Sequence, residues 1–202
     1  MTSEHLKDNR RHNIVTASQA WSAVYDRKKL WREKTFREPP FEGNEMTQWG
    51  NDHEEDALLA FEKHMNDICE NGNKLIVHPD LPIGASADGF LNEFDINGVK
   101  FKNPVELKCP FSQKIYPTIP DRYWVQMQIQ IFVAQANGYN ATKAHFVVWT
   151  PDDFHTELVQ YDQEFIDWYI PKAIDFLKYV SDDKEPPRYK RKPEFNFNQR
   201  SK

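Results

Sequence analysis

Three residues suggest chemistry first: Asp88 in Ser86-Ala87-Asp88-Gly89, then Glu106 and Lys108 in Val105-Glu106-Leu107-Lys108-Cys109-Pro110. On an extended strand, side chains two apart share a face, so Glu106 and Lys108 project together while Val105 and Leu107 face the other way. A hairpin between the two segments can bring Asp88 beside them. Two converging carboxylates then form a hard oxygen site suited to Mg²⁺ or Mn²⁺. A lysine two residues on can orient or activate a water and offset charge on a phosphoryl transition state. Taken alone, the triplet also fits a surface strand with an alternating salt bridge.

Glu54 supplies a third carboxylate. It falls on the apolar stripe of Ala57, Leu58 and Phe61, whereas Glu55 and Asp56 fall off it. A carboxylate on a buried face is costly unless it is paired or faces a cation or polar cleft, which places Glu54 at the rim of the same site. The alternative is a wet position at the helix start, favoured by the dipole. Further on, Gln126, Gln128 and Gln130 interrupt an aromatic and aliphatic helix. Gln126 and Gln130 share a face, and buried amides need partners: the lysine, a water or a phosphate.

The elements that must position these groups are legible in outline. Ser18 reads as the N-cap of a helix over Gln19 to Tyr25. Apolar residues at three- and four-residue steps (Ala57, Leu58, Phe61, Met65, Ile68) predict one helix from Gly50 to about Glu70, closed near Gly72. Leu75 to Val77, Ile83 to Phe94 and Val99 to Leu107 read as strands, with a hairpin turn at Asn97-Gly98. A helix over Asp121 to Ala136 follows, then strands over Ala144 to Trp149 and His155 to Tyr161. A last helix runs from Gln163 to Val180, kinked or restarted at Pro171. The order predicts an α/β or α+β fold, a mixed sheet flanked by helices. Pro39-Pro40 marks a loop. Pro186-Pro187 closes a single domain over residues 1–185, leaving a basic, flexible tail over 186–202.

Composition narrows the function classes. The 202 residues are 39% hydrophobic and 14% aromatic, enough for a real core and unlike a collagen or a disordered chain. No apolar run suits a membrane span and no signal-peptide pattern opens the chain, so a soluble, intracellular protein is expected. Cys69 and Cys109 are expected as reduced thiols, and the seven His show no HExxH spacing. Net charge is −5, yet residues 188–202 are +5, so the remainder is −10. A second basic run spans Arg27 to Arg37. Such segregation fits carboxylates gathered at a metal and basic segments holding a polyanion, or simply a solvated surface and a frayed tail.

At this point the chain resembles the lambda-type exonucleases, the YqaJ viral recombinase family of the PD-(D/E)xK nuclease superfamily. The segments that carry the resemblance stand in family order: Ile14 to Ser18, Trp49-Gly50 with Glu54 and Ala57, Ser86 to Gly89, Glu106 to Phe111, and Tyr123 to Gln128. The resemblance implies that Asp88, Glu106 and the Leu107 carbonyl hold Mg²⁺ (Mn²⁺ as substitute), with Glu54 completing the acidic cluster. It implies that Lys108 activates or positions the attacking water, that Gln126 orients Lys108 or that water, and that Arg11, Ser18 and Ser86 bind the 5′ phosphate of DNA. Gln113 stands where the family has a further pocket arginine, with Lys114 next to it as a substitute. Thr47 stands where an aliphatic wedge is expected, with Met46 beside it.

The implied activity is 5′-to-3′ exonucleolytic degradation of linear double-stranded DNA to mononucleotides, leaving a 3′ single strand for recombination by annealing. An endonuclease of the same superfamily is the alternative. Also implied are a homotrimeric ring around DNA, a single-strand annealing protein as partner, and a cytoplasmic location, that of the host if the chain is phage-encoded.

Overall fold

Strand β6 (Lys100–Lys108) organises the fold around it. The structure, a computed structural model, describes residues 9–39, 42–187 and 194–197. β6 pairs antiparallel with β5 (Gly89–Phe94) and parallel with β7 (Lys143–Trp149), so it is hydrogen-bonded on both sides. Adding β2 (Glu70–Asn71) and β8 (Phe154–Gln160) completes a five-stranded mixed sheet in the order β2-β5-β6-β7-β8. A second mixed sheet has β4 (Ile83–Ala85) between β1 (Val15–Thr16) and β3 (Ile76–Val77). The expected α/β layering with a mixed sheet is therefore present, divided over two sheets.

Alternation along β6 separates two environments. Val105 and Leu107 enter a small apolar cluster with Ala57 and Phe61 of α4 (Glu54–Met65), while Glu106 turns toward α5 (Asp121–Ala136). Helix α5 supplies the β6-to-β7 crossover and is buried nearly all round, as a helix packed on every side must be. Its outer side meets α1 (Ala20–Tyr25) and α6 (Gln163–Ser181) in the larger core. No helix among the described residues is long and apolar enough to cross a membrane.

Several expectations need correction. The helix expected from Gly50 onward is two: α3 (Glu45–Asp52) and α4, parted at His53. Gly50, Asn51 and Asp52 are poor helix formers, and the His53 ring, tilted against Trp49 and stacked on Trp149, accompanies the break. α4 ends at left-handed Asn66, well before Gly72, and Ile68 is 76% exposed rather than part of the buried stripe. Ser18 is no N-cap: it lies inside a 3₁₀ turn, Ala17–Gln19, that precedes α1. The strand expected over Ile83 to Phe94 is broken at Ser86 to Asp88, where the chain passes from one sheet to the other. α6 runs through Pro171 without restarting, held by Phe165 and Tyr169 on one side and Ala173, Phe176 and Leu177 on the other.

The basic run Arg27 to Arg37 is spent on the fold. It forms α2 (Arg27–Lys34) and its exit, and pairs Arg27 with Asp175, Lys28 with Glu185 and Arg37 with Asp183. Lys34 is buried and donates to the carbonyls of Arg11 and Ile14 at 2.8 and 2.6 Å. Within the tail expected to be flexible, Glu194 to Phe197 instead lie on the domain: Phe195 packs against Trp124, Phe165 and Trp168, and Phe197 against Trp21. The basic residues of that tail, and Pro40, fall outside the described residues.

Candidate active site

The hairpin register brings the two motifs together. Gly89 pairs with Val105, which puts Asp88 beside the Glu106-Leu107 peptide, and two contacts lock it there. The Asp88 N–H donates to the Val105 carbonyl at 3.0 Å, and the Leu107 N–H donates to Asp88 Oδ2 at 2.7 Å. Glu106 is 1% exposed, and each of its oxygens is held. Lys108 Nζ donates to Oε1, Gln126 Nε2 donates to the same oxygen at 2.7 Å, and Gln130 Nε2 donates to Oε2 at 2.5 Å.

Glu54 opens α4 and accepts from Asn73 Nδ2 at 2.9 Å. With Asp88, Leu107 and Lys108 it lines a cleft of about 490 Å³ whose walls include Met46, Gly50, Cys109, Phe111 and Tyr123. It thus sits both at the rim of the site and at a helix N-terminus. The cleft lies at the carboxyl end of β6, between the start of α4 and the first turns of α5.

Charge is concentrated here. Burial pushes Asp88 well above the usual carboxylate range, and the carboxylates of Glu106 and Glu54 push the same way against the pull of Lys108. Burial works against the Lys108 charge, but Glu106 and Asp88 outweigh it and raise its pKa above the ordinary lysine value. The ammonium also lies 4.9 Å from the centre of the Tyr123 ring. Burial lifts the Cys109 thiol to about 11 and the Cys69 thiol to about 12, so neither is a nucleophile at neutral pH.

The donor set fits a hard divalent cation. Asp88 and Glu54 line the cleft and Glu106 is buried close enough to act on Asp88, so oxygen donors of the kind Mg²⁺ and Mn²⁺ take are gathered with an excess of negative charge that a cation would relieve. Among the described residues no three His, Cys, Asp or Glu side chains already form a metal cage. The hydrogen bonds explain this: Lys108, Gln126 and Gln130 occupy Glu106, Leu107 N–H occupies one Asp88 oxygen, and Asn73 holds Glu54.

The residues expected at the 5′ phosphate are partly assembled. Arg11 Nη2 donates to Ser86 Oγ at 3.1 Å. Parallel pairing of Thr16 with Gly84 carries Ser18 and Ser86, each two residues on, to the same end of β1 and β4. The Ser18 hydroxyl is 3.2 Å from Thr16 Oγ1 and its residue is exposed. Lys114 is exposed on the loop before α5, after left-handed Gln113, and no hydrogen bond joins it to Arg11, Ser18 or Ser86. Gln126 reaches Glu106, the partner of Lys108, rather than Lys108 itself. Gln128 is structural, accepting from Asp162 N–H at 2.8 Å and donating to the Gln160 carbonyl at 2.7 Å.

Three contributors went unassigned from the residues: Tyr123 under Lys108, Asn73 on Glu54 and Gly72 behind Asp88; Gln130, expected to need a partner, finds it in Glu106 rather than in the lysine. Tyr123 lies three residues before Gln126 on α5, a spacing that could have pointed to it. Nothing local marks Asn73 or Gly72, whose roles arise from contacts across the fold.

A family model of the YqaJ-like viral recombinase domain matches residues 6–137. No curated protein matches the chain. Among solved structures the fold is similar to an alkaline exonuclease (LHK-Exo) from Laribacter hongkongensis, with a TM-score of 0.69 and 22% identity over 90% of this chain and 94% of that one. The same enzyme in complex with dAMP gives 0.66 and 20%, over 86% and 90%. A phage related exonuclease from Haemophilus somnus 129PT gives 0.61 and 17%, over 84% and 94%. The family match takes in every side chain of the cleft and of the Arg11–Ser86 corner, and the chain belongs to the YqaJ-like viral recombinase domain family.

Proposed function

We propose that this protein is a Mg²⁺-dependent exonuclease, with Mn²⁺ as a substitute, that degrades linear double-stranded DNA from its 5′ ends to mononucleotides and leaves a 3′ single strand for annealing. The observation that carries this reading is the meeting of Asp88, Lys108 and Glu54 in the lining of one cleft, with Glu106 buried against Lys108. The exonuclease folds it resembles, one of them in complex with dAMP, support the same substrate class.

Asp88, Glu106 and the Leu107 carbonyl would hold the cation, with Glu54 completing the acidic set. When bound, the cation supplies Lewis-acid stabilisation of the scissile phosphate and an activated water. Lys108, an ammonium fixed between Glu106 and the Tyr123 ring, orients that water by donation and faces the charge that grows on the phosphoryl oxygens. Gln126 steadies the carboxylate on which Lys108 rests. Arg11 and Ser86, with Ser18 at the same strand end, receive the terminal phosphate through a guanidinium and hydroxyls, and Lys114 adds charge from the loop. The family resemblance extends the proposal to a three-subunit ring and a single-strand annealing partner.

The test is digestion of linear duplexes carrying 5′-phosphate or 5′-hydroxyl ends, alongside a closed circle, with Mg²⁺ or EDTA. Loss of the linear duplex from its 5′ ends, survival of the circle and inhibition by EDTA are expected. Cutting of the circle would establish an endonuclease instead.

A further inference from the structure

Gln130 is 1% exposed on α5, one turn beyond Gln126. Its Nε2 serves two acceptors, Glu106 Oε2 at 2.5 Å and the Ser86 carbonyl at 3.2 Å, while its Oε1 is buried with no hydrogen-bond partner among the described residues. A methionine would fill the same space and remove the unmet Oε1, but it would strip the buried Glu106 Oε2 of its donor, so the amide serves its donor end rather than packing. The donor end makes the connection. Through Ser86 it reaches the residue that accepts from Arg11, and Ser86 lies two positions before Asp88. Together with Gln126 on the other oxygen, it fixes the plane of the Glu106 carboxylate.

We propose that Gln130 is a positioning residue that registers Glu106 against the Arg11–Ser86 corner, so that an anionic DNA end held at that corner and the cation-binding carboxylate are aligned by one buried amide. This rests on the nuclease reading of the cleft. Gln126 cannot substitute, because it donates to Oε1 and has no hydrogen bond to Ser86.

The experiment compares full-length wild type, Gln130→Met and Gln130→Asn. Mn²⁺ affinity of the metal-free protein is measured by calorimetry, and kcat and KM are measured on a 5′-phosphorylated linear duplex. Gln130→Met should weaken Mn²⁺ binding and lower kcat, each by about 10–100-fold, as loss of a group that orients a metal ligand does. KM should stay within about threefold of wild type. Gln130→Asn keeps the amide but is a methylene too short to reach both acceptors. It should shift the same quantities in the same direction, and it carries the test if the methionine variant does not fold. Wild-type Mn²⁺ affinity and kcat in a folded variant would overturn the assignment.

Adding Arg11→Ala tests the link to the corner: its effect on kcat should be smaller in Gln130→Met than in wild type by at least about threefold. Effects that simply multiply would remove that link. If wild-type protein leaves DNA intact, the nuclease reading fails, and weaker Mn²⁺ binding by Gln130→Met would still uphold the role of the amide toward Glu106.

Discussion

Gly72 lies against the peptide of Asp88. A Cβ at residue 72 would fall far inside 3.0 Å of the Ala87 carbonyl oxygen and the Asp88 carbonyl, both backbone atoms that cannot swing aside. The next residue, Asn73, donates its N–H to the Ala87 carbonyl at 2.5 Å and its side chain to Glu54. A two-residue segment far from either motif thus spaces two of the acidic groups. Gly72→Ala should lower stability by about 3 kcal/mol or more, since overpacking here meets main chain rather than a side chain. Displacement of Asp88 should also cut activity by at least about tenfold. Thermal melts and initial rates on the same sample check both; a melt and a rate equal to wild type would mean that the contact relaxes freely.

Lys108→Ala should lower kcat by about 10²–10³-fold, the usual loss when a donor aimed at developing charge is removed. Binding of a linear duplex in Ca²⁺, followed by anisotropy, should be largely preserved. Equal losses of binding and turnover would assign Lys108 to holding DNA rather than to the chemical step.

Outside the cleft, Glu93 has a pH signature of its own. Burial would raise its pKa, but hydrogen bonds from His145, Lys143 and Asn103 outweigh it and bring the carboxyl down to about 2 from an ordinary 4.5. The folded-state pKa is depressed, so the stabilisation is complete above pH 4.5 and disappears as pH falls toward 2. After allowance for solvent screening it is on the order of 2 kcal/mol at neutral pH. Glu93→Gln should lower the melting temperature at pH 7 and flatten the fall of stability between pH 4.5 and 2. An acid limb as steep as that of wild type would assign the transition to other carboxylates.

Phe195→Ala should lower stability by roughly 1–3 kcal/mol, because its ring meets Trp124, Phe165 and Trp168 from two helices. Chemical denaturation of the full-length chain measures this. A midpoint unchanged from wild type would show that the aromatic contacts add nothing to the fold in solution.

The parts of this architecture legible from sequence are those set by local pattern. Asp121–Ala136 is a helix over the full expected range, and Glu106 and Lys108 share a face because strand alternation leaves no other option. Two-residue strands such as β1 and β2 carry no periodic signal; they exist because Val15 meets Ile83 and Glu70 meets Phe90 across the fold. The basic stretch Arg27 to Arg37 reads as surface charge, yet its partners Asp175, Asp183 and Glu185 lie some 150 residues away on α6 or beyond it. Likewise the site's carboxylates and lysine were visible as residue types, whereas Gly72 and Asn73 matter only through close approach.

The strand that bears Glu106 and Lys108 has neighbours on both of its sides, while β8 and β3 lie at the margins of their sheets. On gradual heating, amide protons at the margins should exchange first, and those of residues 105–108 should persist until the whole domain gives way. Loss of the site on heating would then be a global event, and a partly frayed molecule would keep its carboxylate–lysine cluster to the end.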